Sequence, residues 1–443
     1  MSLIFVQVGQ CGNQVGHEFW KIAGKERSQK NSGFQGGLFH GNGYARCIMI
    51  DSEPKVIQRI IGENNELYNI SNVRFSQSGC GNNWALGYNF SGNSKGMTDR
   101  CAPEGYGKDM LLQDAMELLE RELESCDYAK ACVVIHSLSG GTGSGLGSRL
   151  IEEIRNKHPT MYIISICVAP FAHGDTPMQH YNCLLSLSHI QSFCDAVFMF
   201  QNDDILRAIN RATTKAGHTT LQTSHYSTTD INKYIASCMA NIFFPVQNDK
   251  GVWSEFDCFK FIRNLCPSFE TKFLEINTNA ILESSAGKFS SWQYIADDFA
   301  KHIPVFMLED NIPCKSISTK IMVRGGFQTI HDYSIVKKAL LNKAFAPVEW
   351  LLYAPNQEEY LTFDVSHAPA LPGHRISNSL TTCSNRSYIV SLLNHILSRA
   401  HVMMESKAYL HWYGRHGVEE SMFDECFATV QKVIDDYVLL YQP

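Results

Sequence analysis

Residues 132–158 read CVVIHSLSGGTGSGLGSRLIEEIRNKH, and no other stretch limits the fold as tightly. The apolar run 132–135 predicts a short buried strand. Beyond it, Leu146, Leu150, Ile151 and Ile154 recur at helical spacing. Arg149, Glu152, Glu153, Arg155 and Lys157 fall largely on the other side, so an amphipathic helix is expected. Between the two stand Gly140, Gly141, Gly143 and Gly145, interleaved with Thr142 and Ser144. Glycines let backbone approach a ligand closely, and such a loop feeding a helix start turns free N–H groups and the helix dipole toward one point. A phosphate cradle is the first expectation, and a turn rich in glycine for packing alone is its competitor. Two common phosphate loops are excluded by spacing. Leu146 follows Gly145 where Gly-x-x-x-x-Gly-Lys requires lysine, and counting from Gly141 and Gly143 puts Leu146 at the third glycine of the dinucleotide fingerprint.

The surrounding chain supplies a sheet for this loop. Residues 2–8 form an apolar strand, followed by the polar loop GQCGNQ and a helix through Phe19, Trp20 and Ile22. Residues 46–50 return to a strand ending in Asp51-Ser52-Glu53-Pro54, with a helix expected at 55–61. Residues 75–84, FSQSGCGNNW, read as another polar loop, and 108–126 as a helix. Strands at 161–168 and 196–200 flank a loop containing Asp175 and a helix over 181–193. Alternation of apolar strands with helices predicts a parallel sheet covered on both faces, and ligands of such sheets bind beyond the carboxyl ends of the strands. Each polar loop follows a strand, so all converge on one edge. Beyond a longer helix at 229–243 the pattern changes. Strands at 272–278, 320–323 and 360–365, with helices near 292–301 and 333–344, predict a second domain with a mixed sheet. Helical segments at 387–412 and 422–440 close the chain as an antiparallel pair. The expected class is therefore α/β. An N-terminal parallel-sheet nucleotide-binding domain (1–200) is followed by a core helix and mixed-sheet intermediate domain (201–384) and a C-terminal helical region (385–443).

At 443 residues the chain can bury a large core in two or three domains. A net charge of −6 and no Lys/Arg-rich block argue against nucleic acid as a partner. The fifteen cysteines are scattered without Cys-x-x-Cys, which fits reduced cytosolic thiols, and the seventeen histidines form no zinc motif. The N-terminus lacks the basic region of a secretory signal, and no apolar run reaches the ~18 residues of a membrane span.

GQCGNQ after the first strand, SGCGNNWALG at 78–87 and SGGTGSGLGS at 139–148 resemble the tubulin signature loops. The likeness continues through Asn264-Leu265-Cys266-Pro267, Val348-Glu349-Trp350 and the 407–413 segment KAYLHWY, in order along the whole chain. Ser139 replaces the third consecutive glycine of alpha, beta and gamma tubulins, the loop after the first helix is shorter, and the chain stops at Tyr441-Gln442-Pro443 without a glutamate-rich tail. It is similar to the delta and zeta branch, linked to centrioles and basal bodies, with zeta slightly preferred. The missing tail implies weak recruitment of tail-reading motors.

The resemblance implies a GTP/GDP site with Mg2+. Gln10, Cys11 and Gln14 match the loop that contacts phosphate and base, and Glu53 the acid near the metal. Gly79, Cys80, Gly81 and Asn82 match the loop that senses the γ-phosphate. Ser137, Gly140, Gly141, Thr142, Gly143 and Ser144 match the phosphate cradle. Asp175 matches a ribose-side acid, with Gln179 in place of the family's glutamate beside it. Asn202 and Asn232 match the asparagines that read guanine, as amides that both donate and accept. Thr228 stands where the family stacks an aromatic ring on the base, and Tyr226 lies two residues away. Losing such stacking costs roughly 1–3 kcal/mol in base-stacking proteins. The loop supplying the catalytic acid to a neighbour's nucleotide corresponds to 257–260, and Lys260 occupies the acid's position. A cation does not serve as a general base near neutral pH, so hydrolysis is left open. The implied function is a GTP-binding structural protein of centrioles, basal bodies and cilia. Its implied partners are other tubulins or centriolar scaffold proteins, without membrane insertion. A self-assembling GTPase is the alternative, and a nicotinamide-dependent dehydrogenase, the third class, lacks its fingerprint.

Overall fold

Strand β1 (Ser2–Val8) carries one polar side chain after its first residue, Gln7, and from Leu3 onward every residue is buried, as a strand covered on both faces must be. It belongs to a computed structural model that describes residues 2–28, 37–90, 110–126, 129–174, 176–215, 227–247, 253–279, 292–307, 312–324, 336, 338–340, 345, 361–365 and 379–439. The chain divides into two compact units. The first comprises Met1–Trp20, Gln35–Phe198 and Leu393–Ile434, and the second Lys21–Phe34, Met199–Leu392 and Asp435–Pro443.

In the first unit β1 leads into α1 (Gly9–Arg27), β2 (Cys47–Asp51), α2 (Lys55–Glu63) and β3 (Val73–Phe75). Then come α3 (Trp84–Tyr88), α4 (Met110–Glu124), β4 (Ala129–Ser137), α5 (Gly147–Lys157), β5 (Tyr162–Ala169), α6 (Gln179–Phe193) and β6 (Ala196–Gln201). The strands lie in the order 3-2-1-4-5-6, and the pairs β3–β2, β2–β1, β1–β4 and β4–β5 are parallel. This is the doubly wound order, in which the direction of strand addition reverses between β1 and β4 while the strands stay parallel. In sheets of this order a crevice lies at that switch point, beyond the carboxyl ends of the two strands. The segments leaving β1 and β4 are Gly9–Gln14 and the glycine turn, so topology alone brings the two sequence motifs to one place.

The second unit carries α7 (Asn202–Lys215), α8 (Thr228–Phe243), a two-residue ribbon of β7 (Val246–Gln247) and β8 (Trp253–Ser254), α9 (Cys258–Leu265) and β9 (Phe273–Thr278). It continues through α10 (Trp292–Ala300), β10 (Ser316–Arg324), β11 (Leu361–Val365) and β12 (Ser379–Arg386). Its sheet is mixed, as expected: β10 pairs parallel with β11 and antiparallel with β12, which pairs antiparallel with β9. Trp292, Phe299, Ile321, Val323, Leu340 and Leu380 are members of its hydrophobic core. Helix α8 starts where Asp230 accepts hydrogen bonds from the Ser227 N–H (3.1 Å) and hydroxyl (3.0 Å). It ends at Arg324, buried, which donates to the carbonyls of Asn241 (3.2 Å), Phe244 (2.9 Å) and Pro245 (3.4 Å). Burial lowers the pKa of this guanidinium to about 10, and Glu26 opposes the shift.

The C-terminal helices are α11 (Ile389–Glu405), α12 (Leu410–Gly414) and α13 (Glu420–Val438), with the His401 ring of α11 stacked 4.0 Å from Phe427 of α13. Among the described residues no helix is long and apolar enough to cross a membrane.

Four boundaries differ from the sequence reading. GQCGNQ is not a loop, because α1 begins at Gly9 itself, whose φ of +72° turns the chain directly out of β1. The glycine turn is itself helical, one π-helical turn over Thr142–Leu146 running into α5. Helix α7 follows β6 without a loop, and β12, mostly polar, is a fully buried strand. Helical residues 336 and 338–340 lie in the expected helix 333–344, whose remainder, like Val348-Glu349-Trp350 and Tyr226, lies outside the described residues.

Candidate nucleotide site

The crevice of the first unit is assembled from four chain segments in contact. At the start of α1, a Cβ on Gly9 would lie 2.9 Å from the Gly143 nitrogen, so the helix and the glycine turn touch through backbone. Asn13, buried one turn on, donates to the carbonyls of Gly9 (2.9 Å) and Ile50 (3.0 Å), which ties α1 to the end of β2. Gln10 is exposed, and Cys11 and Gln14 are half-buried, all on the first two turns. Burial pushes the Cys11 thiol up to about 12.

The end of β2 contributes Asp51, Ser52 and Glu53. Asp51 is buried and accepts from the Glu53 N–H at 3.3 Å. Desolvation, opposed by that hydrogen bond and reinforced by the Glu53 charge, pushes its carboxyl up to about 7. The hydroxyls of Ser52 and Thr142 share a hydrogen bond of 2.5 Å, joining the strand end to the glycine turn. Glu53 is exposed and stands against the next loop, its Oε1 2.9 Å from where a Cβ on Gly79 would be.

The loop at 79–82 takes the left-handed conformation three times, at Gly79 (φ +64°), Gly81 (+52°) and Asn82 (+52°). Cys80 is buried within it, and burial pushes its thiol up to about 11 despite hydrogen bonds with Ser52 and Thr142. A Cβ on Gly141 would sit 2.5 Å from the Cys80 carbonyl oxygen, so the loop and the glycine turn also meet through backbone.

The fourth segment runs from Ser137 through the glycine turn. The Ser137 hydroxyl accepts from the Ser139 N–H at 3.2 Å. Buried Ser144 donates to the Gly140 carbonyl, and its own carbonyl accepts from the hydroxyls of Ser148 (2.7 Å) and Ser186 (3.3 Å). Beneath the turn lies His136, fully buried, bonded through Nε2 to the Ser165 hydroxyl (2.8 Å), its imidazole pushed down to about 4 by burial. The first N–H groups of a helix have no intrahelical partner, and π-helical turns concentrate at functional sites. The turn therefore offers a row of donors to an anion, with the hydroxyls already engaged in holding its shape. Gln179, at the start of α6, is buried and donates to the Phe171 carbonyl at 3.4 Å. Asp175 lies outside the described residues.

Gln10, Cys11, Gln14, Glu53, 79–82, Ser137, 140–144 and Gln179 thus all belong to the first unit. Asn202, Thr228 and Asn232 belong to the second. Asn202 opens α7 with its Oδ1 buried and without a hydrogen-bond partner, an acceptor awaiting a donor. Thr228 opens α8, exposed, and Asn232 is buried on the first turn of the same helix. Asp51 and Asn13 were not singled out from sequence. Asp51 shares the strand-end position that marked Glu53, whereas nothing in the sequence signals that Asn13 is buried.

The residues suit a magnesium nucleotide. Among the described residues no group of three or more His, Cys, Asp or Glu side chains could hold a metal ion by themselves. Mg2+ takes one or two carboxylates together with phosphate oxygens and water, and Asp51 with Glu53 is such a pair. A buried carboxyl that holds its proton near neutrality is a group that a cation would relieve.

Residues 2–210 match the model of the Tubulin/FtsZ family, GTPase domain. The chain is 26% identical over 462 residues to the tubulin beta-1 chain of Chondrus crispus, covering 98% of this chain and 93% of that one. It is 24% identical over 477 residues to the tubulin delta chain of Canis lupus familiaris, covering 99% of both, and 25% identical to the tubulin beta-1 chain of Glycine max. Sheet order, glycine turn and family match define a GTP-binding protein with a Tubulin/FtsZ-type GTPase domain. Within that class the chain is similar over nearly its whole length to tubulin beta and delta chains, as a divergent member of the tubulin superfamily would be.

Proposed function

We propose that this tubulin-family protein binds GTP or GDP with Mg2+ and serves as a structural component of centrioles, basal bodies and cilia, assembling with other tubulins or scaffold proteins there. The observation that carries the nucleotide reading is the contact of four segments around one crevice at the sheet's switch point. In this reading the N–H groups of Gly140–Ser144 and the start of α1 cradle the phosphates, and Gly79–Asn82 lies at the γ-phosphate. Asp51 and Glu53 hold Mg2+, which when bound neutralises phosphate charge. Asp175 and Gln179 stand on the ribose side, and Asn202, with its unsatisfied buried acceptor, and Asn232 read guanine. The centriolar assignment is supported by resemblance to the delta and zeta branch and by full-length similarity to a delta chain.

Triggering of hydrolysis in a neighbour is not part of this function. The Lys260 N–H caps α9 on the Asp257 carboxylate at 3.1 Å, leaving an exposed cation where a general base is required. A tagged copy in ciliated cells tests the location, with centriolar or basal-body signal expected and uniform cytoplasmic signal counting against it. Phosphate release that rises cooperatively with protein concentration would favour the self-assembling GTPase instead.

A further inference from the structure

Asn182, on α6, is fully buried, and all four hydrogen-bonding positions of its carboxamide are filled. Its Oδ1 accepts from the Trp84 N–H (2.9 Å) and the Tyr413 hydroxyl (2.7 Å). Its Nδ2 donates to the carbonyls of Asn82 and Ser139, each at 2.8 Å. Two carbonyls demand a donor and two protic groups an acceptor, so the partners fix the amide's orientation. Asn82 ends the left-handed loop and Ser139 immediately precedes the glycine turn. One side chain therefore spaces the two loops that face the crevice and joins both to α12.

The segment that follows this loop also holds α12 and the residues just beyond it. Asn83 donates to the Trp412 carbonyl (3.2 Å), and Asn89 donates to the His416 carbonyl (2.6 Å). Tyr413 is buried, while its neighbour Trp412 is exposed, with the Arg415 guanidinium 4.8 Å from its ring. A buried amide and phenol thus connect the crevice to an exposed aromatic surface of the C-terminal region. The Gly79 N–H donates to the Ser52 carbonyl (3.1 Å) and the Asn83 N–H to the Cys80 carbonyl (2.9 Å), so the loop is held at both ends and Asn182 holds the Asn82 carbonyl between them.

We propose that Asn182 is a positioning residue for the nucleotide. It holds the 79–82 loop and the glycine turn at phosphate-binding separation and, through Tyr413, passes the state of the phosphate site to α12. This rests on the nucleotide reading above. Asn182→Asp keeps the size and both acceptances but loses both donations, so guanine-nucleotide affinity falls at least tenfold. Tyr413→Phe removes one hydroxyl outside the crevice and changes affinity less than threefold. The decisive readout is hydrogen exchange of peptides covering 410–416 in the full chain, loaded with GDP or with a non-hydrolysable GTP analogue, with bound nucleotide measured on the same samples. The native chain should show at least a threefold difference in exchange between the two nucleotides, and Tyr413→Phe should abolish it at full occupancy. A difference that survives Tyr413→Phe, or a fully loaded native chain with none, overturns the coupling and reduces Asn182 to a packing residue. A native chain that takes up neither nucleotide overturns the nucleotide reading itself and the coupling with it. Should Asn182→Asp not fold, Tyr413→Phe carries the test alone.

Discussion

Gly141→Ala and Gly140→Ala make the same chemical change at adjacent positions and should have opposite effects. A Cβ on Gly141 would lie 2.5 Å from the Cys80 carbonyl oxygen and 2.7 Å from the Cys80 Cβ, whereas one on Gly140 meets nothing within 4 Å. Neither glycine has a positive φ, so the difference is steric rather than conformational. Overpacking a well-packed site costs about 1–3 kcal/mol. Gly to Ala at a compatible backbone stabilises by roughly 0.4–1 kcal/mol through the unfolded chain. Gly141→Ala should therefore lose about 0.5–2 kcal/mol, and Gly140→Ala should be neutral or gain up to about 1 kcal/mol. Urea titration of the nucleotide-free chain measures this, with buried Trp20 and Trp84 reporting on the first unit. The midpoint should fall for Gly141→Ala at unchanged slope. Equal midpoints for the two variants would refute the contact between the glycine turn and the 79–82 loop.

Three further outcomes follow from the same geometry. His136 titrates at about 4 when folded and near 6.5 when unfolded. The unfolded chain binds the extra proton in that window, so stability falls as pH drops from 6.5 to 4, by about 3 kcal/mol for a full shift of this size. His180, pushed to about 4 by burial and by His395 and Arg399, adds in the same direction. A His136→Asn variant whose thermal-unfolding midpoint keeps the native chain's full dependence from pH 7.5 to 4.5 would contradict this. Asp51 works oppositely, since a carboxyl raised to about 7 loses stability as pH rises toward 7. Asp51→Asn should steepen the acid loss and remove most of any Mg2+ enhancement of nucleotide binding, both read by titration across pH. Arg324→Met removes the three hydrogen bonds that this guanidinium donates at the end of α8 and should cost about 3 kcal/mol in urea, a loss below ~1 kcal/mol counting against the cap.

Elements whose burial shows in composition were legible. The strands β1, β4, β5 and β6 are nearly all apolar because helices cover both faces. The glycine turn was legible as a close backbone junction between a strand and a helix, because four glycines stand between them. Polar burial was not legible. In β12, Thr381 shares hydrogen bonds with Asn241 and Thr278, and Asn385 donates to the carbonyls of Leu265 and Thr271, so a strand that reads as surface is wholly interior. The start of α1 was hidden because Gly9, Gly12 and Gly16 are poor helix formers. Their lack of a side chain is needed where Gly12 abuts the Ile135 carbonyl and Gly16 the Gln7 side chain, so tertiary contact overrides propensity. Asn182 looks like any polar residue of an amphipathic helix, and only its four partners reveal its place.

Nucleotide content tests the central claim most directly. The purified chain should release guanine nucleotide on denaturation, approaching one equivalent by chromatography, and rebind GTP in competition with GDP but not with a nicotinamide dinucleotide. A folded chain that releases no guanine nucleotide and shows no binding by titration with GTP and Mg2+ would contradict it.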